Sequence, residues 1–237
     1  MEIVLVRHAQ PEWEPDGRAV DDPPLTGFGH EQAKLAAEAL ADEHFDHVYM
    51  SPLVRVQQTA QPICEALGMK GVTCGWLREL GLPSLAGQTS EQVQRYFAHA
   101  RARSLEHWAD GLPGGESFTH FYERVSSGIE SLLDAEHQVQ VELHEEAGWR
   151  LWQIPDVHKR LLIVAHEGTN AAILSHLLGI EAVPWTWMRF SGAWAGLHRI
   201  QTIETGSGRV WSLQCFNDVT HLAPLATDAG SGRSPDL

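Results

Sequence analysis

The sequence predicts an α/β fold: three α/β/α layers around a mostly parallel sheet, with a helical insertion over the C-terminal ends of the strands. Three observations point there. Short aliphatic and β-branched runs at Ile3–Val6, Val48–Met50 and Leu161–Ala165 are too brief for helices and carry no polar alternation, as strands buried on both faces do. Helical patterns follow each of them. The 237 residues, 43% hydrophobic and 20% charged, are enough for one sizeable core.

The elements follow in order. The first strand ends abruptly in Arg7-His8, and residues 10–27, with Pro11, Pro15, Pro23, Pro24, Gly17 and Gly27, read as loop. Thr26 can cap a helix beginning near Phe28, whose Ala33, Ala36, Ala37 and Leu40 form a narrow apolar stripe suited to close approach to a sheet. After the second strand, Ser51-Pro52 turns the chain into a helix from about Leu53 to Leu67, with Val56, Ala60 and Ile63 inward. Val72–Cys74 reads as a third strand. Residues 80–89 are loop, 90–109 a helix contacting its surroundings through Val93, Phe97 and Leu105, and Ser117–Leu133 another helix. Residues 134–160 give no clear pattern. Leu161–Ala165 repeats the opening motif and ends in His166; Gly168 and Thr169 then lead a helix to Leu178, closed by Gly179. Residues 195–203 and 210–216 read as a hairpin about Gly206-Ser207-Gly208. The resulting organisation is one domain over 1–222 with an insertion at about 80–160, then a flexible tail over 223–237.

Charge and cysteine usage narrow the function. With 17 Lys and Arg against 31 Asp and Glu, the net charge of −14 argues against nucleic acid or an anionic membrane as partner. No apolar stretch approaches the length of a membrane span, and no secretory pattern opens the chain. Cys64, Cys74 and Cys215 form neither a disulfide framework nor a metal knuckle, so the expected setting is cytoplasmic. His166-Glu167 opens like a zinc helix motif, but Asn170 stands where its second histidine belongs, and His44 with His47 lacks a third ligand; no metal and no cofactor are expected.

Against that acidic background, Arg7 and His8 directly follow one strand and His166 another. In open parallel sheets the carboxyl ends of strands face the ligand crevice. Arg55 lies in the first turn after Ser51-Pro52 and can reach the same edge. Two guanidinium groups bind phosphate oxygens and keep their charge, and an oriented neutral imidazole can attack phosphorus, so the set suits phosphoryl transfer.

Val6-Arg7-His8-Ala9-Gln10-Pro11 resembles the opening signature of the histidine phosphatase superfamily, the phosphoglycerate-mutase-like fold. Further blocks resemble it in the expected order: Pro24-Leu25-Thr26 with Gly29, Gln32 and Ala33; Ser51-Pro52-Leu53 with Arg55, Gln58, Thr59 and Ala60; Leu77-Arg78-Glu79; Pro113–Ser117; Ala165–Thr169; and Asn217 with Thr220-His221-Leu222. The resemblance implies that His8 is the phosphorylated nucleophile, that Arg7, Arg55 and His166 hold the phosphate, and that Glu79 is the general acid. Glu116, after Gly114-Gly115, competes with Glu79 for that role. The expected activity is metal-independent hydrolysis of a small organic phosphate monoester; the alternatives are mutase-type phosphoryl transfer and a non-catalytic phosphate-ligand or protein-binding module. The sequence departs from the family where Ala9, Pro11, Glu14 and Glu167 stand, and the two acids bear on whatever lies beyond the phosphate. Trp13, Glu14, Glu116 and Glu167 are candidates for the substrate mouth. Nine tryptophans either pack a lid, an edge or a dimer surface, or in part line that mouth. A homodimer through the C-terminal hairpin is the oligomer suggested.

Overall fold

A computed structural model of the chain describes residues 1–144 and 149–225. Its centre is an eight-stranded sheet built from β1 (Glu2–Arg7), β2 (His47–Met50), β3 (Gly71–Thr73), β4 (Gln140–His144), β5 (Trp149–Gln153), β6 (Arg160–Ala165), β7 (Leu197–Glu204) and β8 (Arg209–Asp218), in the order β3-β2-β6-β1-β7-β8-β5-β4. The β3-β2-β6-β1 half is parallel and carries the crossover helices; β7, β8, β5 and β4 extend it antiparallel.

Alternation along β1 and β6 explains why both read as unbroken apolar runs. Ile3 and Leu5 face one core and Val4 and Val6 the other; Leu161, Ile163 and Ala165 oppose Leu162 and Val164 in the same way. One face is covered by α1 (Gly27–Leu40) and α2 (Val54–Leu67), the other by α4 (Phe118–His137) and α5 (Glu167–Leu177). Thr26 caps α1 by accepting from the Gly29 amide at 2.9 Å, and the predicted Ala33, Ala36, Ala37 and Leu40 stripe is buried. Gly68, at φ +63°, ends α2 in the left-handed conformation.

The segment read as one insertion over 80–160 divides differently. Residues 118–137 form α4, whose Phe118, Phe121, Val125, Ile129, Leu132 and Leu133 pack directly on the sheet, and β4 and β5 are strands of that sheet. What remains outside the layers is 80–117, with α3 (Ser90–Arg101). It joins the loop after β1 through Ala19 N–H to Gln88 O and Gly87 N–H to Ala19 O, each 2.9 Å, which puts it over the C-terminal end of that strand. α3 is shorter than the predicted 90–109 helix and buries no residue; Leu105, expected to make contacts, is 61% exposed. β8 meets β5 at one pair, Trp152 with Arg209, at the start of the strand. Of the predicted tail, residues 223–225 belong to a 3-10 turn over Thr220–Leu225, and the rest lies outside the described residues. No helix among the described residues is long and apolar enough to cross a membrane.

Candidate active site

Register brings the functional residues together. Arg7 pairs with Ala165 across β1 and β6, and Met50 with Val164 across β2 and β6, so three parallel strands end at one level. The next residues are His8, His166 and Ser51. The His8 amide donates to Ala165 O at 2.9 Å and the Ser51 amide to Val164 O at 3.1 Å, carrying the ladder one step past the strands. The His8 and His166 rings meet edge to face with centroids 5.3 Å apart.

Both histidines are buried, at 4% and 0% exposure. His8 Nδ1 lies 2.8 Å from Ala9 O. A carbonyl only accepts, so the proton sits on Nδ1 and Nε2 keeps its lone pair. Burial, then the charges of Arg55 and Arg7, push the His8 pKa well below its ordinary value and keep the ring neutral. Burial and the same arginines act on His166 in the same sense. His166 Nε2 is 2.8 Å from Ser51 Oγ, while its Nδ1 has no hydrogen-bond partner among the described residues.

The two arginines are buried just as deeply, at 7% for Arg7 and 4% for Arg55. Burial lowers the pKa of each, that of Arg55 to about 10, against the pull of Glu79 on both, of Glu167 on Arg7 and of Asp22 on Arg55. Arg7 Nη1 reaches Glu167 Oε2 at 2.8 Å and donates to Gly192 O, but its Nε has no hydrogen-bond partner among the described residues. Neither Nε nor Nη1 of Arg55 has one either; Asp22 stands 3.6 Å from Nη1, an ion pair too long for a hydrogen bond. Trp13 lies against the Arg55 guanidinium at 5.2 Å, and Trp194 lies 6.0 Å from that of Arg7. Buried guanidinium N–H groups without acceptors are costly. A tetrahedral anion is the complement such a set fits.

Glu79 stands at the N-terminus of α5. Its Oε2 accepts from the Gly168 amide and its Oε1 from the Leu80 amide, both at 2.9 Å. A Cβ at Gly168 would lie 2.5 Å from Glu79 Oε1, so a larger residue there would displace the carboxylate. Glu116 is placed differently. Arg124 grips it through two N–H groups at 2.9 and 2.7 Å, and Gly81 N–H adds a third bond at 3.0 Å. Burial works to raise the Glu116 pKa, but these bonds outweigh it and hold the carboxyl below its ordinary value. Arg124 also donates to Trp76 O at 2.7 Å and Arg78 O at 3.0 Å, so this clasp fixes the loop that presents Glu79.

The remaining mouth candidates separate. Trp13, 37% exposed, sits at the rim against Arg55. Glu14 accepts from Ser90 Oγ and so ties the first loop to α3. Glu167 is bound to Arg7. Trp152 is buried in the core edge-on to Trp211. Sequence reading passed over Ser51 as a turn residue, although it follows β2 as His8 follows β1. It named Thr59 within the Arg55 block without a role; Thr59 Oγ1 accepts from the Ala9 amide at 3.0 Å and donates to Arg55 O at 2.7 Å, locking the His8 loop to α2. Among the described residues, no three His, Cys, Asp or Glu side chains are grouped to hold a metal ion.

Two strand-end histidines and two buried arginines thus meet at one end of the sheet, the arrangement expected of a histidine phosphatase. The family model of the histidine phosphatase superfamily (branch 1) matches residues 3–151, and the chain belongs to that family of phosphatase-type enzymes. It is 30% identical over 234 residues to a probable phosphoglycerate mutase, GpmB, of Serratia proteamaculans, covering 96% of this chain and 98% of that protein. It is 31% identical over 185 residues to phosphoserine phosphatase 1 of Hydrogenobacter thermophilus, covering 76% and 78%. Among solved structures, a mycobacterial glucosyl-3-phosphoglycerate phosphatase superposes with a TM-score of 0.68 at 24% identity, over 91% of this chain and 98% of that one.

Proposed function

We propose that the protein hydrolyses a small organic phosphate monoester through a phosphohistidine at His8, without a metal ion. The observation that carries this reading is the pairing of a neutral His8, whose Nδ1 is committed to Ala9 O, with two buried arginines that retain unpartnered N–H groups. The His8 Nε2 lone pair attacks phosphorus as the ester P–O bond breaks, and protonated Glu79 delivers its proton to the leaving alcohol oxygen. Arg7 and Arg55 meet the charge on the equatorial phosphoryl oxygens. A Ser51 hydroxyl donating to His166 Nε2 leaves the proton on Nδ1, where it can join them. Water then attacks the phosphohistidine and gives its proton back to Glu79; the P–N bond breaks and phosphate departs. Glu79 is favoured over Glu116 as the acid because Arg124 holds Glu116 as a bidentate anion. A cytoplasmic setting, resting on three free cysteines, belongs to the same reading.

A mutase is the second reading, favoured by the relatives named as probable phosphoglycerate mutases. The net charge of −14 disfavours the polyanionic intermediates of such a reaction. Phosphate release from a panel of phosphomonoesters in EDTA, with product analysis, separates the two. The expected result is free phosphate in stoichiometric amount with the alcohol, abolished in His8→Ala. An isomerised ester without free phosphate establishes the mutase, and turnover that survives His8→Ala removes His8 from the mechanism.

A further inference from the structure

The two phosphate-site arginines are not equally neutralised. Arg55 is paired only loosely, with Asp22 at 3.6 Å on a side chain 40% exposed. Arg7 has Glu167 at 2.8 Å on a side chain only 20% exposed. Glu167 is also pinned from behind: Ser191 Oγ donates to its Oε1 at 2.8 Å. It is the first residue of α5, directly after His166. Gly192 O takes a further bond from the same Arg7 nitrogen, so Nη1 is spent inside the protein while Nε stays unpartnered among the described residues.

We propose that Glu167 is a positioning residue for Arg7 that doubles as a built-in counter-anion, weakening the hold of the site on free phosphate. The inference rests on the phosphate-site reading above. A phosphate dianion at Arg7 must share that guanidinium with a fixed carboxylate close by, in surroundings too dry to screen the repulsion. The penalty falls on any bound phosphate, product included, and promotes its departure. Such uniform weakening trades affinity in the ground state for faster release of product.

Calorimetric titration with inorganic phosphate tests this in the native protein, Glu167→Gln and Arg55→Ala. Glutamine keeps the shape and one oxygen to accept from Arg7, its NH2 donating to Ser191 Oγ instead of accepting from it, and removes the charge. The expected result is roughly tenfold tighter phosphate binding in Glu167→Gln, with a matching fall in the phosphate inhibition constant and in KM while kcat does not rise. A residue that only braced Arg7 would do the reverse, so unchanged or weaker binding overturns the proposal. If Glu167→Gln does not fold, Glu167→Ala carries the same expected sign and the same contrary result. Native protein that binds no phosphate, or binds it as well after Arg55→Ala, defeats the phosphate-site reading itself and the inference with it.

Discussion

The two ends of the first strand hold the same kinds of charge and use them in opposite ways. At the amino end, Glu2 and Glu43 meet Arg160 and Arg199 in a closed four-membered network, with contacts of 2.7, 2.7, 2.6 and 3.4 Å. Hydrogen bonds to the acids raise the pKa of both arginines, and the same bonds hold Glu43 below its ordinary value against the effect of its burial. At the carboxyl end, burial lowers the pKa of Arg7 and Arg55, and guanidinium N–H groups go without acceptors among the described residues. One end satisfies its charges within the chain and contributes to stability. The other pairs Arg7 with Glu167 yet leaves Nε of Arg7 and Nε and Nη1 of Arg55 without acceptors among the described residues, the pattern that a site for an anion would show.

A crossed pair of substitutions gives the sharpest test of this contrast. Arg55→Met should cut turnover by roughly a thousandfold, since it removes a transition-state charge, while leaving the melting temperature unchanged or raised, since it removes a poorly paired buried charge. Arg160→Met should leave turnover within about twofold and cost about 1–2 kcal/mol of stability, a figure kept small because the network is partly solvated. Steady-state kinetics and denaturant melts on both variants check the four outcomes. Equal losses of stability at the two ends would erase the distinction.

Acid titration probes the carboxyl end from another side. Burial, with the charge of Arg7, depresses the His198 pKa to about 4, and His198 Nδ1 accepts from the Asn217 amide at 2.9 Å. The folded form therefore prefers the neutral ring, and between about pH 6.5 and 4 the unfolded chain binds more protons. Stability contributed by this preference is complete above the unfolded pKa and is lost as pH falls through the folded one, by at most about 3 kcal/mol. His8 and His166 act in the same direction. Melts at about pH 7 and about pH 4.5 should show the fall, and a smaller one in His198→Gln. The smallest effect is expected at the loop clasp: Glu116→Gln should lower kcat by roughly tenfold through a looser Glu79, with phosphate affinity unchanged. A loss as deep as that of Glu79→Gln would instead give Glu116 the acid's role.

How much of this was legible in the sequence depended on whether a signal was local. Arg7, His8 and His166 could be placed because each directly follows a short apolar run, and Arg55 because Ser51-Pro52 fixes the start of its helix. The Thr26 cap and the alanine stripe behind it were equally local. The helix over 118–137 was legible as a helix, but its sheet-facing role depends on the crossover from β3 to β6, which no window of sequence contains. Strands β4 and β5 escaped because Gln140–His144 and Trp149–Gln153 mix charged, amide and apolar residues with little regularity, and become strands through pairing with each other and with β8. The Arg124 clasp on Glu116 spans eight residues around the start of a helix and left no pattern to read. Glu14 and Glu167 looked alike as acids near a phosphate site; only the structure turns one toward Ser90 and the other onto Arg7.

Everything proposed for the site turns on His8 carrying the phosphoryl group. Mixing the enzyme with a turned-over phosphomonoester, quenching in alkali to preserve phosphohistidine, and mapping the peptides by mass spectrometry tests it directly. One added phosphoryl group on His8, absent from His8→Ala and lost when the labelled enzyme is diluted into substrate-free buffer, is the predicted result. A phosphoryl group on another residue, or full turnover by His8→Ala, would contradict the account.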